Sequence, residues 1–186
     1  MWLTDAEQQG LLVLARAAIT HGLQHSNIIH IDWTQQPAAY HTPRASFVTL
    51  QRHGELRGCI GHLEAVQAVG QDVVENAFRA AFRDPRFPPL TTAEYADIHV
   101  HISLLTPAEA MQFTSEQDLI AQLQPGEDGL ILAYHGHRAT FLPSVWDMLP
   151  QANQFLGHLK LKAGLAADFW SPQLQVWRYR ADGISE

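Results

Sequence analysis

Ala45-Ser46-Phe47-Val48-Thr49-Leu50-Gln51-Arg52-His53-Gly54-Glu55-Leu56-Arg57-Gly58-Cys59-Ile60-Gly61 reads as a β-hairpin, and that reading decides the fold class. Ala45 to Gln51 is rich in residues that suit a pleated surface. His53-Gly54 is a two-residue turn of the kind that joins antiparallel strands, and Glu55 to Ile60 returns alongside. A tight hairpin demands antiparallel pairing. The question for the rest of the chain is whether further hairpins follow or a strand-helix alternation takes over.

Helices flank the hairpin on both sides. Thr4-Asp5-Ala6-Glu7 has the form of a capping box, in which hydroxyl and carboxylate each satisfy a free N–H of the first turn. Leu11, Leu12, Ala15, Ala18 and Ile19 recur at helical spacing, predicting a helix from about Asp5 to His21 that Gly22 ends. Residues 24 to 44 are polar, with Pro37 and Pro43, and read as an irregular connection. After the hairpin, Val69, Val73, Val74, Ala77, Phe78 and Ala81 predict a helix over Val66 to Phe82, stopped by Asp84-Pro85.

Ile98 to Leu105 alternates apolar and polar residues and predicts a half-buried strand closed by Pro107. A short helix is expected over Ser115 to Leu123. A second hairpin joins Leu130 to Tyr134 with Arg138 to Leu142 around His135-Gly136-His137. Ser144 is placed to cap a short helix, Gln151 to Ala163 reads as a further helix stopped by Gly164, and Leu174 to Arg180 as a last strand. Hairpins and helices are thus mixed without regular alternation. The fold class expected is α+β: a mostly antiparallel sheet with surrounding helices, with room for a larger and a smaller lobe, over residues 5 to 182.

With 46% apolar and 17% charged residues in 186, the chain can bury a core and disorder is not expected. No apolar run reaches the roughly 20 residues that span a bilayer, and no secretory signal opens the chain, so no membrane association is expected. The one cysteine admits no internal disulfide and fits a reducing, cytoplasmic setting. A net charge of −7 disfavours nucleic acid, since the longest basic cluster is Lys160 with Lys162.

Within the hairpin, alternation places Arg57 and Cys59 on one face and Leu56, Gly58 and Ile60 on the other. Glycine inside a strand marks a bulge or a close approach of other backbone, so Gly58 and Gly61 are singled out. A neighbouring guanidinium would favour the thiolate of Cys59, making it a candidate nucleophile, metal ligand or redox thiol. Against this stands the cysteine's common role as a small buried residue.

Seven segments in order resemble one family. They are Leu56-Arg57-Gly58-Cys59-Ile60-Gly61; Asn76-Ala77 with Ala80-Ala81; Asp84-Pro85-Arg86-Phe87; Ile102-Ser103-Leu104-Leu105-Thr106-Pro107; Gly126-Glu127-Asp128-Gly129-Leu130-Ile131; and Ala139-Thr140-Phe141-Leu142-Pro143 with Val145-Trp146, after which comes Lys162-Ala163-Gly164-Leu165. Together they are similar to AMMECR-domain proteins. That resemblance implies an α+β fold with antiparallel sheet and no settled reaction. It also implies possible work beside a Memo-like protein and a radical-SAM protein, the grouping called the AmmeMemoRadiSam system.

The resemblance marks further residues. If the loop after the second helix returns to the Cys59 strand, Arg57 and Arg86 would offer two forks to a small anionic ligand, a carboxylate or phosphate. Asn76 would orient a polar group, and Gly58, Gly61 and Asp84 would complete the binding residues, with Cys59 the catalytic candidate. The competing reading is that Asp84 and Arg86 pair to fix their own loop and Asn76 satisfies buried backbone.

Function is expected to be that of an accessory or anion-binding component. The alternatives are an enzyme using Cys59 and, disfavoured by charge, a nucleic-acid-associated regulator. No cofactor is identifiable. The pairs His99 with His101 and His135 with His137 lack the three or four convergent ligands of a zinc site. Ser144 lacks a nucleophile elbow, and no phosphate-binding glycine loop is present.

Overall fold

The capping box forms as read: Glu7 N–H donates to Thr4 Oγ1 (3.3 Å) and Thr4 N–H to Glu7 Oε2 (2.8 Å). The structure, a computed structural model, describes residues 2–186. In chain order its elements are α1 (Asp5–His25), β1 (Ser46–Arg52), β2 (Glu55–Gly61), α2 (Val69–Phe82), β3 (Ile98–Leu105), β4 (Glu109–Ala110), α3 (Glu116–Gln122), β5 (Gly129–Tyr134), β6 (His137–Phe141), α4 (Ala152–Lys162), β7 (Gln175–Tyr179) and β8 (Ala181–Ser185). Two antiparallel four-stranded sheets form, ordered β2-β1-β3-β8 and β4-β7-β5-β6, so the class is α+β.

The chain divides into two compact units, one ending at Leu105 and regaining Asp182–Glu186, the other Thr106–Ala181. In the first, α1 and α2 cover one face of the sheet. Val48, Leu50, Val100, Ile102 and Leu104 meet Leu11, Ala15, Ile19, Val73 and Ala77 there, all at most 1% exposed. Full burial of such a side chain contributes about 1.5–3 kcal/mol. The hairpin turn has positive φ at both His53 (53°) and Gly54 (81°), the geometry a two-residue antiparallel connection requires. In the second unit, α3 and α4 pack on β5 and β7 around Trp146, whose ring stacks on Phe155 at 3.8 Å. Its hairpin turns at His135-Gly136, again with positive φ at both.

Three expectations are corrected. Gly22 does not end α1, which runs on to His25 and stops at left-handed Ser26. The glycine serves packing: a Cβ there would fall 2.3 Å from Phe82 Cε2, where α2 crosses. Ser144 caps nothing; it lies inside a 3-10 turn, Pro143–Asp147, preceded by Leu142. The chain also does not finish on β7, because β8 follows at once and joins the other sheet as its edge strand.

Candidate functional site

β2 is an edge strand, and an edge leaves backbone N–H and C=O groups without a neighbour. At Cys59 both are satisfied by side chains. Cys59 N–H donates to Asp84 Oδ2 (2.8 Å), and Arg86 Nη2 donates to Cys59 O (2.9 Å). Pro85 breaks the chain out of α2, which lets Asp84 and Arg86 grip each other. Arg86 Nε reaches Asp84 Oδ1 (2.9 Å) and Arg86 Nη2 reaches Asp84 Oδ2 (2.7 Å), a two-pronged pair. Asp84 is buried, and Arg86 holds its carboxyl well below the usual range, with the Cys59 N–H adding to the effect. Asp84 in turn raises Arg86. The Arg86 side chain remains 53% exposed, and its Nη1 makes no bond within the described residues.

Gly58 explains why α2 delivers this loop to the strand. A Cβ at Gly58 would lie 2.2 Å from Ala80 O, so helix and strand backbones touch there. At Gly61 a Cβ would meet the Phe47 ring at 2.3 Å and Ser46 O at 2.4 Å. Both glycines of the hexapeptide are thus required by close approach.

Arg57 takes a different place from the one alternation predicts. Leu50 pairs with Gly58 and Gln51 with Leu56, which leaves Arg57 as the extra residue of a bulge. Its buried guanidinium donates through Nε to Glu94 Oε1 (2.8 Å) and through Nη2 to Glu94 Oε2 (3.1 Å) and Pro88 O (3.0 Å). This pairing is the largest influence lowering Glu94, to about 2. The two open forks expected of Arg57 and Arg86 therefore do not form, because Glu94 occupies Arg57. Glu94 was missed in the sequence, although Thr91-Thr92-Ala93-Glu94 carries the capping-box pattern. Thr91 N–H and Oγ1 do donate to its Oε2, each at 2.9 Å.

Cys59 is half-buried, and its sulfur accepts a hydrogen bond from Thr49 Oγ1 at 3.2 Å. Thr49 stands between Cys59 on β2 and His101 on β3 in the ladder. His101 Nδ1 lies 2.7 Å from Ser185 Oγ, and burial shifts this histidine below its usual pKa. A polar row thus crosses one face of the sheet.

Asn76 belongs to a separate buried cluster. Its Nδ2 donates to Ser46 O (3.1 Å), Ser46 Oγ (3.2 Å) and Asp72 Oδ2 (2.9 Å). Asp72, fully buried, also accepts from Ser46 N–H (2.9 Å) and Ser46 Oγ (2.6 Å), and its Oδ1 lies 2.6 Å from His62 Nδ1. Asn76 thus holds the start of β1 onto α2, satisfying backbone, and its partners are Ser46 and Asp72, not Cys59. The pair His135 with His137 is engaged elsewhere: His135 Nε2 lies 2.8 Å from Gln173 Oε1 and His137 Nδ1 2.9 Å from Ala163 O. Among the described residues no group of three or more His, Cys, Asp and Glu side chains could hold a metal ion, and no helix is long and apolar enough to cross a membrane.

Fold and site together define an α+β protein built on one clamped edge strand. The chain belongs to the AMMECR1 family, whose profile matches residues 12–184. A protein of Methanothermobacter thermautotrophicus is 37% identical over 190 residues, spanning 99% of this chain and 96% of the relative. Protein MJ0810 of Methanocaldococcus jannaschii is 35% identical, over 92% of this chain and 86% of its own. The crystal structure of the uncharacterised protein PH0010 from Pyrococcus horikoshii superposes with a TM-score of 0.89 at 29% identity, covering 99% of this chain and 93% of that one.

Proposed function

We propose that this protein is an accessory component that presents a small anionic substrate or intermediate, working in the cytoplasm beside a Memo-like protein and a radical-SAM protein. The observation that carries this reading is the Asp84–Arg86 clamp. It fixes the Cys59 peptide at both its N–H and C=O while leaving the Arg86 Nη1 prong unbonded at an exposed position. A guanidinium held rigid by one carboxylate presents its remaining edge without a large loss of side-chain freedom on binding. Presentation suits the site better than self-sufficient catalysis. The Cys59 sulfur accepts its hydrogen bond from the Thr49 hydroxyl, a group that does not take up a proton near neutral pH.

The test is co-expression of the tagged chain with both partners, read by retention on the tag and by turnover of the radical-SAM enzyme. Retention that is lost in Arg86→Ala supports the reading. Neither retention nor any effect on turnover rejects it.

A second reading rests on the Thr49–Cys59 hydrogen bond, which orients a half-buried sulfur on the sheet face: an enzyme using Cys59 as nucleophile or redox thiol. Its test is the pH dependence of alkylation at this single cysteine. Half-maximal reactivity below the usual thiol pKa of about 8.5 supports it. A thiol inert until strongly alkaline pH rejects it.

A further inference from the structure

Where α1 and α2 end, they enclose with the loop 89–92 a cavity of about 430 Å³. That volume lies within the roughly 300–1,000 Å³ typical of small-molecule sites. Its floor is apolar, made by Leu23, Phe78, Phe82, Pro89 and Leu90. The two phenyl rings are tilted against each other with centroids 5.1 Å apart.

The far wall is held from behind by the hexapeptide. Arg57 bonds Pro88 O and Glu94, and Glu94 holds Thr91 by both its N–H and its hydroxyl. A wall fixed in this way keeps the cavity open without a ligand and reduces the ordering cost of binding.

The polar rim is unlike the rest of the unit. Among the described residues, Arg83 is the only charged one lining the cavity. Among the described residues it is also the one arginine whose side chain makes no hydrogen bond, ion pair or ring contact within the protein. The hydroxyls of Ser26 and Thr92, also at the rim, are likewise unbonded.

The geometry points to a binding site for a small organic acid with an aromatic or branched apolar body, its carboxylate on Arg83 and its body over Phe78 and Phe82. Charge decides the kind of acid. Each helix C-terminus brings partial negative charge, about half an elementary charge, to this end of the unit. Two such ends oppose the guanidinium's longer-range attraction, so an anion gains only by direct hydrogen bonding to the Arg83 fork and the apolar body must supply most of the affinity. Contact with the Arg83 fork then selects acid over neutral analogue by about ten-fold or more, as for hydrogen bonds to charged groups. This site is independent of Cys59 and Arg86.

The experiment is titration of the isotope-labelled full chain with 1-naphthylacetate, phenylacetate and 4-methylpentanoate, followed by amide chemical shifts. The controls are 1-naphthylacetamide and acetate. The expected result is saturable shifts at Leu23, Phe82 and Thr92, with 1-naphthylacetamide and acetate at least ten-fold weaker than 1-naphthylacetate. Arg83→Gln weakens 1-naphthylacetate about ten-fold and leaves the amide unchanged, and the thermal midpoint falls by no more than about 4 °C, because the Arg83 side chain makes no hydrogen bond or ion pair in the fold and loses only its attraction to the helix ends. Cys59→Ser leaves binding unchanged. No saturable binding by any acid at millimolar concentration overturns the inference. So does equal affinity for acid and amide, or binding insensitive to Arg83→Gln.

Discussion

Replacing Gly58 by alanine tests the contact on which the site is built. The new Cβ would lie 2.2 Å from Ala80 O and 3.1 Å from Ala80 C. Ordinary contact with that oxygen needs about 3.4 Å, so strand and helix must separate by roughly 1.2 Å. Neither partner is a flexible side chain: the carbonyl belongs to α2, and Gly58 is paired to Leu50 in the ladder. Overpacking against side chains costs about 1–3 kcal/mol, and a backbone obstacle places this change at or above the upper end, about 3 kcal/mol. With a urea m-value of roughly 1–3 kcal/mol/M, the unfolding midpoint should fall by roughly 1–3 M. The separation also pulls Asp84 from the Cys59 N–H, so that amide should lose much of its hydrogen-exchange protection. Gly54→Ala is the control. It sits at φ +81° with nothing within 4 Å, so it should cost only about 1 kcal/mol of left-handed strain. A Gly58→Ala protein within about 0.5 kcal/mol of the parent, or no less stable than Gly54→Ala, would refute the reasoning.

Three further outcomes follow from the ion pairs and the buried cluster. Glu94 is depressed to about 2 by Arg57, and Asp84 is also lowered, so both stabilise the fold above their unfolded pKa values near 4 and release that stability as pH falls towards 2. Urea midpoints measured from pH 6 to 2 should therefore drop below about pH 4.5, and Glu94→Gln should flatten the drop. Asp72→Ala leaves the buried Ser46 N–H and the Asn76 amide without their carboxylate, and calorimetry should register a loss of about 3 kcal/mol or more. In the other unit, Lys160 is fully buried and held by Glu116 and Ala167 O. Glu116→Ala strands that ammonium and should cost about 3–5 kcal/mol, whereas Lys160→Met, which removes the buried charge, should cost clearly less by the same measurement.

Local chemistry determined much of this protein directly from its sequence. The Thr4 capping box, the His53-Gly54 turn, the alternation through Ile98–Leu105 and the stop at Asp84-Pro85 each act within a few residues, so each was legible without the fold. The ordered segments likewise marked the family, and the glycines of the hexapeptide marked a close approach. What approaches them was decided only by packing. Ala80 O against Gly58 and Phe47 against Gly61 depend on how α2 and β1 lie over β2. Gly22 shows the same limit: a helix stop by local rules, it is a helix crossing in three dimensions, because contact with Phe82 comes from sixty residues away. Arg57 is the sharpest case. Strict alternation sets it beside Cys59, but one bulged residue turns it to Glu94, and a bulge arises from strand register, which no window of sequence contains. The edge position of β2 has the same origin. Only the order of strands leaves Cys59 with an unpaired peptide, and only the return of the loop after α2 brings Asp84 and Arg86 to bond it.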